Sequence, residues 1–355
     1  MKRIALAVIL SIIMAMPVFA SSLTVQPSIE TLTVEQAAQA AINASSELKN
    51  LDDSETANNE NLDTMKDDFY TETDYAKVLS LAVKIMQAEA QNTQTSNNRN
   101  LAIDNLRISV MNLFASIINA QNSLKLTDQS LSIQKRQLDI AKVKYSLGYI
   151  SKLDMDTQTN NYNQKLASRE TQNIAITNAF ASLNKLMGYS YNKQYDLILG
   201  LSYAPLGEIN LPGAIDSAVR QDPSVFNQQG NIDVAQYKIE MYDPLVSTDT
   251  EESLNRNLDQ AQRGMYDAKR NIEQKVINAY NNIKNQEIEY NNAVLALEAL
   301  NQQIPIKIKQ FELGKVTKLD LDQLYYQVAQ QEEKIRSLGV SHAINVLQFK
   351  NPATL

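Results

Sequence analysis

The apolar positions of this chain recur every seven residues in two long stretches that are in phase with each other. The two series lie a constant 166 residues apart (276 − 110 = 166). The first is Val110, Ile117, Leu124, Leu131, Leu138 and Tyr145; the second is Val276, Ile283, Tyr290, Leu297, Ile304 and Phe311. A seven-residue apolar repeat is the seam of a coiled coil. The constant offset predicts that one helical unit occurs twice in tandem.

Each series ends in the same turn pattern, which reads YSLGYISKLDMD from Tyr145 and FELGKVTKLDLD from Phe311. A glycine can end a helix in the left-handed conformation, and an S/T-x-x-D spacing can cap the helix that follows. The residues concerned are Gly148, Ser151 and Asp154 in the first turn and Gly314, Thr317 and Asp320 in the second. Each repeat is therefore predicted to be a long antiparallel helical hairpin with this turn at its tip.

The distribution of Gly and Pro sets the extent of the helices. Residues 75–147 contain neither, which allows a helix of about 100 Å at 1.5 Å per residue. The other expected elements are short opening helices at 33–48 and from 211 (offset 177), a return helix at 153–186, a strand at 195–203, and a second hairpin at 252–313 and 319–347 with a kink at Pro305. The predicted fold class is all-α, with two tandem repeats of long coiled-coil hairpins.

The chain is predicted to divide into three parts. Residues 1–20 have the basic start, apolar stretch and small-residue cleavage site of a signal peptide, so we expect export. Residues 21–200 form the first helical repeat and residues 201–355 the second. An acidic, Asn-rich stretch at 50–74 in the first repeat is predicted to be a weakly ordered linker or surface loop.

Composition argues against catalysis. The formal net charge is −7, which does not suit a nucleic-acid partner. The chain has no cysteine and one histidine, His342, so we expect no metal site. It also lacks a Gly-rich phosphate loop and a nucleophile elbow. We therefore predict a protein that is not an enzyme and binds no cofactor.

The ordered set of motifs resembles the TolC-like outer-membrane efflux factor family. The family has two such repeats, each with an x-G-x-x-[ST]-x-x-D turn after an aromatic residue, as here. The opening helices at 34–42 and 211–219 and the LNKLMG sequence at 183–188 are also similar to that family. The resemblance implies a helical-barrel protomer that forms a homotrimeric tube in the cell envelope. It also implies tips that face a periplasmic adaptor (membrane fusion) protein, which joins the tube to an inner-membrane pump.

By this resemblance, the adaptor-docking residues would lie in the two tips. They are Tyr145, Gly148, Ser151, Leu153 and Asp154 in one tip and Phe311, Gly314, Thr317, Leu319 and Asp320 in the other. An acidic ring at the entrance would consist of Asp154, Asp156, Asp320 and Asp322. Two alternatives stay open: the first Asp of each tip can be a helix cap, and the two Leu side chains can stabilise the turn instead of entering a partner.

One departure from the family concerns the membrane-spanning strands, which lie between the opening helix and the hairpin of each family repeat. Here residues 50–74 and 241–253 are rich in acids, and lipid-facing strands need alternating apolar residues. We therefore expect little or no β-barrel. The predicted function is an outer-membrane-efflux-protein-like component of an efflux or type I secretion system. The alternative is a structural coiled-coil spacer at the cell surface without a channel.

Overall fold

A computed structural model describes residues 30–245, 247 and 249–354. The predicted signal peptide at 1–20 lies outside the described residues. The elements are β1 (Thr31–Thr33), α1 (Val34–Ala44), α2 (Ser46–Thr71), α3 (Tyr75–Ser146), α4 (Lys152–Leu186), β2 (Asp196–Ile198), α5 (Leu211–Gln221), α6 (Pro223–Glu240), α7 (Glu251–Glu312) and α8 (Lys318–Lys350), followed by a short 3-10 turn at Pro352–Thr354. The all-α prediction is confirmed.

The two predicted hairpins are α3 with α4 and α7 with α8. Their helix ends lie within three residues of the predicted ones. α3 has 72 residues and is therefore about 108 Å long. α7 has 62 residues and continues through Pro305 as one helix. The difference (72 − 62 = 10) accounts for most of the eleven extra residues that the two sequence offsets imply for the first repeat.

α3 and α7 are the long rods to which the other helices are attached. Near the hairpin turns, which we call the tip end, the helices pack in the order α4, α3, α8, α7. At the opposite end, the far end, the order is α2, α3, α6, α7. Since α3 contacts both α6 and α8, the second repeat lies along one side of the first.

Two hydrophobic clusters hold the short opening helices against the rods. In the first cluster α1 covers Val110, Ile117 and Leu183; in the second α5 covers the equivalent Val276, Ile283 and Phe349. We call these clusters the first and second node. Burial of such large apolar side chains is the main stabilising contribution to a helical protein of this kind, at roughly 1.5–3 kcal/mol for each side chain. Two of the six heptad positions in each series thus belong to its node.

The predicted strand at 195–203 is shorter than expected. It comprises Asp196–Ile198 only, and it pairs in parallel with β1, which precedes α1. The pairing ties the beginning of the first repeat to its end. The segment 199–210 then leads to the second repeat, and the predicted division between residues 200 and 201 falls within it.

The prediction of a weakly ordered linker at 50–74 is wrong for most of its length, because α2 spans Ser46–Thr71. Polar pairs join α2 to α3: Asp52 to Arg99 at 2.5 Å, Asn59 to Asn92 at 2.6 Å and Lys66 to Glu89 at 2.9 Å. Leu48 and Leu62 supply its buried apolar contacts. A helix so rich in acidic residues is held by its neighbour rather than by a wide apolar face, and composition alone does not reveal such a neighbour.

Segment 199–210 is fastened to the second hairpin by a set of contacts that we call the inter-repeat clasp (Tyr203, Lys284, Glu287, Tyr290 and His342). The Tyr203 ring stacks on Tyr290 with centroids 3.6 Å apart and lies 4.8 Å from the ring of the buried His342. Glu287 accepts hydrogen bonds from Lys284 Nζ at 2.8 Å and from the backbone N–H of Leu206 at 2.6 Å. The clasp therefore fastens the segment that connects the two repeats to the second hairpin, at the height of the second node.

Among the described residues, α3 is the one helix long and apolar enough, by length and composition, to cross a membrane. Its side chains Val110, Phe114 and Ile117 are fully buried in the first node. Only 28% of the apolar window is buried within the described part of the protein, so packing inside one chain accounts for part of this apolar composition.

Candidate functional site: the two hairpin tips

The first helix of each hairpin ends in a Schellman motif. Gly148 has φ +74°, which a glycine adopts without steric cost. The N–H of Tyr149 donates to the carbonyl of Lys144 at 2.8 Å, and the N–H of Gly148 donates to that of Tyr145 at 3.0 Å. The second tip repeats both bonds, from Lys315 to Gln310 at 2.8 Å and from Gly314 (φ +66°) to Phe311 at 2.9 Å.

The second helix of each hairpin begins with a reciprocal capping box. The Ser151 N–H donates to Asp154 Oδ2 at 3.1 Å, and the Asp154 N–H donates to Ser151 Oγ at 3.1 Å. In the other tip the corresponding bonds join Thr317 and Asp320 at 2.7 and 3.2 Å. The capping interpretation of these two carboxylates is confirmed, and each turn is fixed on both sides by backbone hydrogen bonds.

The same hydrogen bonds perturb the two carboxylates. The Ser151 hydroxyl and then the Ser151 backbone N–H lower the pKa of Asp154. For Asp320 the Thr317 backbone N–H is the larger cause and the Thr317 hydroxyl the second, and its pKa is also lowered. Hydrogen bonds to the charged form favour that form. Both side chains are therefore carboxylates at any pH near neutrality.

Equivalent apolar residues of the two tips do not all have the same environment. Leu147 and Leu313, the C-cap residues that follow α3 and α7, are 62 and 60% exposed. Leu153 is 75% exposed, whereas its equivalent Leu319 is half-buried. The sequence-based expectation of an exposed Leu at this position in both tips is therefore wrong for Leu319.

Leu319 is covered because it faces the first hairpin. It lines a cavity of about 430 Å³ together with α3 and α4. Ile140, Ile150 and Asp154 also line this cavity. The second tip thus leans on the first within one chain, which sequence spacing along a single hairpin cannot reveal.

The four carboxylates expected in an acidic ring have different partners. Asp322 forms an ion pair with Arg136 of α3 and a second one, at 2.8 Å, with Lys318. Asp154 and Asp320 are the capping residues. Asp156 is exposed and makes no ion pair within the described part of the chain. The structure brings these residues to one end of the molecule. Among the described residues Asp322 is ion-paired and Asp154 and Asp320 are bound as caps, whereas Asp156 has neither kind of partner.

Basic residues also lie at the tips. Residues 142–156 carry three Lys and two Asp, and the equivalent residues 308–322 carry three Lys, two Asp and one Glu. Together this gives six bases and five acids. Sequence reasoning overlooked Arg136 as well, because nothing in the heptad pattern pairs it with Asp322, 186 residues later.

Among the described residues no group of three His, Asp or Glu side chains is arranged to hold a metal ion.

No protein-family model matches the sequence, and no curated protein matches it in sequence. Solved structures do match the fold. CusC, whose crystal structures concern transmembrane channel formation, superposes with a TM-score of 0.66 at 10% identity, over 90% of this chain and 91% of its own. The chain has the fold of the TolC-like efflux channels. The outer-membrane protein VceC of Vibrio cholerae (TM-score 0.63, 11% identity, 91 and 97% covered) and the outer-membrane channel CmeC of Campylobacter jejuni (0.60, 10%, 90 and 85%) have the same fold.

In this fold the two tips lie at one end of the long hairpins. Two of the solved proteins that share the fold, CusC and CmeC, are described in terms of a channel. The similarity covers the protomer and not merely one hairpin, since about nine tenths of each chain superpose. At 10 to 11% identity it concerns the fold alone.

Proposed function

We propose that this protein is an exported, non-enzymatic subunit of an efflux or type I secretion conduit in the cell envelope. Three copies would stand side by side as a helical tube. Two observations support this function: the shared fold over about 90% of the chain, and the presence in both repeats of the same doubly capped tip. The second observation carries the proposal, because a spacer needs long helices but does not need two matched tips.

We propose further that the tips dock a periplasmic adaptor, which joins the tube to an inner-membrane pump. The ten residues predicted for this surface lie at the tip end. Within that end, Leu147 and Leu313 offer the same exposed apolar side chain at equivalent places in both tips. A partner that binds both hairpins alike would use such a pair, since buried apolar anchors dominate binding energy at interfaces.

Passage through the tube would be passive, and opening would require the two hairpins of one chain to separate at the tips. The contact between Arg136 of α3 and Asp322 of α8 opposes this separation. Of the carboxylates proposed for an entrance ring, Asp156 is the one free to act on passing solutes. Loss of the Arg136 charge would therefore favour an open entrance.

The alternative function is a coiled-coil spacer without a channel. Its specific support is the far end, where helix α2 and the connection at 241–250 occupy the stretches in which the family has strands. The two functions differ in oligomeric state. Native mass spectrometry of the mature chain should give three copies for a conduit, and a stable monomer would favour the spacer.

The docking proposal is tested by a double substitution, Leu147→Glu with Leu313→Glu. Co-expressed with an adaptor of the source cell, this variant should lose co-purification while its helical circular dichroism is unchanged. The matched control is Leu245→Glu, which alters a more exposed Leu near the far end. Retained adaptor binding by the double variant would refute docking through the tips.

A further inference from the structure

At the far end, the seam between α6 and α7 contains an open groove. Both helices line a cavity of about 630 Å³, and Ala235 and Leu254 are its buried lining residues. Pockets that bind small molecules have volumes of about 300–1,000 Å³. The groove belongs to neither node and to neither tip, so the proposed conduit leaves it without a role.

Small side chains keep this seam open. They are Ala235, Ala261 and Gly264, and the equivalent positions of the first repeat hold Asn58 (235 − 177), Thr95 (261 − 166) and Asn98 (264 − 166). Thr95 is 4% exposed, whereas its equivalent Ala261 is only half-buried. The first repeat is thus closed at a place where the second is open, and the groove is a feature of the second repeat.

Gly264 gives a polar group of the opposite helix room in the groove. It lies in the interior of α7, where glycine is the least favourable residue except proline. A Cβ at this position would lie 2.7 Å from Oε1 of Gln228 on α6. The missing side chain therefore leaves the space in which the Gln228 carboxamide lies.

Carboxamides dominate the polar lining of the groove. They belong to Gln228, Asn231, Asn257 and Gln260. Each carboxamide offers two N–H donors and a carbonyl acceptor. Asn231 Nδ2 donates to Gln228 Oε1 at 3.4 Å, and among the described residues the side chains of Asn257 and Gln260 have no hydrogen-bond partner. Most of this donor and acceptor capacity is available to a ligand.

The charged lining residues leave one cation without a counter-ion. Arg263 forms an ion pair with Asp259 of the same helix. Lys238 is half-buried and makes no ion pair within the described part of the chain. Asp267 also lines the groove, one turn beyond Gly264 and hence near Gln228. Since Gln228 and Lys238 are ten residues apart on α6, the acid and the free cation lie about 15 Å apart along the groove.

We propose that this groove binds a short stretch of an acidic amino-sugar glycan. The hydroxyl and acetamido groups of such a sugar both donate and accept hydrogen bonds, as the carboxamides do, and its carboxylate would meet Lys238. An acyl chain in the same place would leave the carboxamides without partners, which is unfavourable. The inference goes beyond the proposed function, because it needs the export of the chain but not the tube.

The chain contains no tryptophan, so a single one introduced beside the groove reports on binding. Tyr266→Trp is suitable, since Tyr266 is 61% exposed and precedes Asp267. The full mature chain would be titrated with the disaccharide N-acetylglucosaminyl-N-acetylmuramic acid. We expect a saturable change in emission. Di-N-acetylchitobiose, which lacks the lactyl carboxylate, should bind at least about tenfold more weakly.

Two variants assign the binding to the groove. Lys238→Ala should weaken binding of the acidic disaccharide about tenfold and leave the neutral one unchanged. Ala261→Thr with Gly264→Asn introduces the residues of the first repeat and should abolish binding of both. Its helical circular dichroism should be unchanged, because a side chain at 264 displaces only the end of the flexible Gln228. The matched control is Asn98→Ala in the first repeat, which should bind as the parent does.

The outcomes separate this inference from the proposed conduit. Binding that survives filling of the groove would place the site elsewhere and overturn the inference, and equal affinity for the two disaccharides would overturn the role of Lys238. If the emission does not change, isothermal titration calorimetry of the unsubstituted chain decides, and no heat of binding would refute the site. A monomer in native mass spectrometry would refute the conduit and leave the groove unaffected.

Discussion

In the first repeat Val110, Ile117 and Leu183 are buried beneath α1, and in the second Val276, Ile283 and Phe349 are buried beneath α5. The surroundings of these equivalent cores differ. The second repeat has Glu287, Tyr290 and His342 at positions where the first has Gln121, Leu124 and Ile176. The comparison teaches that the duplication preserves what each repeat needs to fold, whereas the side chains that hold segment 199–210 are present in the second repeat and replaced in the first.

The difference has a structural reason. Segment 199–210 passes over the second node, and its backbone N–H groups and carbonyls need partners there. Glu287 accepts from the Leu206 N–H, and Lys284 Nζ donates to the Gly207 carbonyl at 3.2 Å. Gly339 leaves room for Tyr203, since a Cβ at that position would lie 3.2 Å from the Tyr203 Cβ.

The largest expected effect is a loss of stability on truncating a buried side chain, and it tests whether the two nodes contribute equally to the free energy of unfolding. Ile117→Ala and Ile283→Ala should each lower the free energy of unfolding by about 2–5 kcal/mol, because both side chains are fully buried and leave a cavity. Urea unfolding followed by circular dichroism measures both. Leu245→Ala, at an exposed position, is the control with a change within about 0.5 kcal/mol. A loss confined to one variant would mean that the two repeats are not energetically equivalent.

A smaller effect should separate the two repeats. Glu287→Ala leaves the Leu206 N–H and one Lys284 bond without a partner, so it should cost about 1–3 kcal/mol. Gln121→Ala, the equivalent change in the first repeat, should cost less. Hydrogen exchange of segment 199–210 should rise in the first variant only. Equal exchange in the two variants would show that the clasp does not hold the segment.

The clasp also has a defined pH dependence. Burial raises the pKa of Glu287, but hydrogen bonds from Lys284 and the Leu206 N–H outweigh it, so the pKa is lowered overall. A lowered pKa means that the stabilisation is present above the unfolded value of about 4.3 and is lost as the pH falls through the folded value. Protection of segment 199–210 should therefore decline below about pH 4.

The smallest expected effect concerns the two tips, whose capping carboxylates Asp154 and Asp320 should titrate alike. Since Ser151 and Thr317 lower the pKa values of Asp154 and Asp320, both should titrate below the ordinary value of about 3.9. The capping contribution is then complete above that pH and is lost as the pH falls through the lowered pKa. Carboxyl chemical shifts measured against pH give both values. Ser151→Ala removes the hydroxyl that is the larger cause for Asp154, so it should return that pKa towards about 3.9, and an unchanged value would exclude the hydroxyl as its cause. Thr317→Ala keeps the backbone N–H that is the larger cause for Asp320, so it should move the pKa of Asp320 less.

The sequence was sufficient for features that depend on local spacing. The heptads and the glycines of the two turns predicted the hairpins, their lengths and their caps, because these arise from contacts between residues three to seven apart. The pattern failed where a distant partner decides the outcome. The acidic composition of 50–74 suggested disorder, but α3 supplies Arg99, Asn92 and Glu89 as partners for that helix.

The tips show the same limit. Sequence equivalence predicted that Leu153 and Leu319 share one environment, and it treated Asp322 as a free carboxylate. Both expectations changed because α8 lies against α3, so that Leu319 faces Ile140 and Asp322 meets Arg136. The similarity of the two repeats does not show which helix of the second repeat packs against which helix of the first.

The double capping of each turn has a mechanical consequence. Because its turn is capped on both sides, each hairpin is expected to move as a rigid body. It would tilt about its node, where α1 or α5 packs on the rod. From Ile117 to Gly148 the arm is about 45 Å long, so tilting by about 5° displaces the extremity by roughly 4 Å. Small rearrangements in a distant core would thus be amplified into ångström-scale travel at the extremity, without any residue there changing its own conformation.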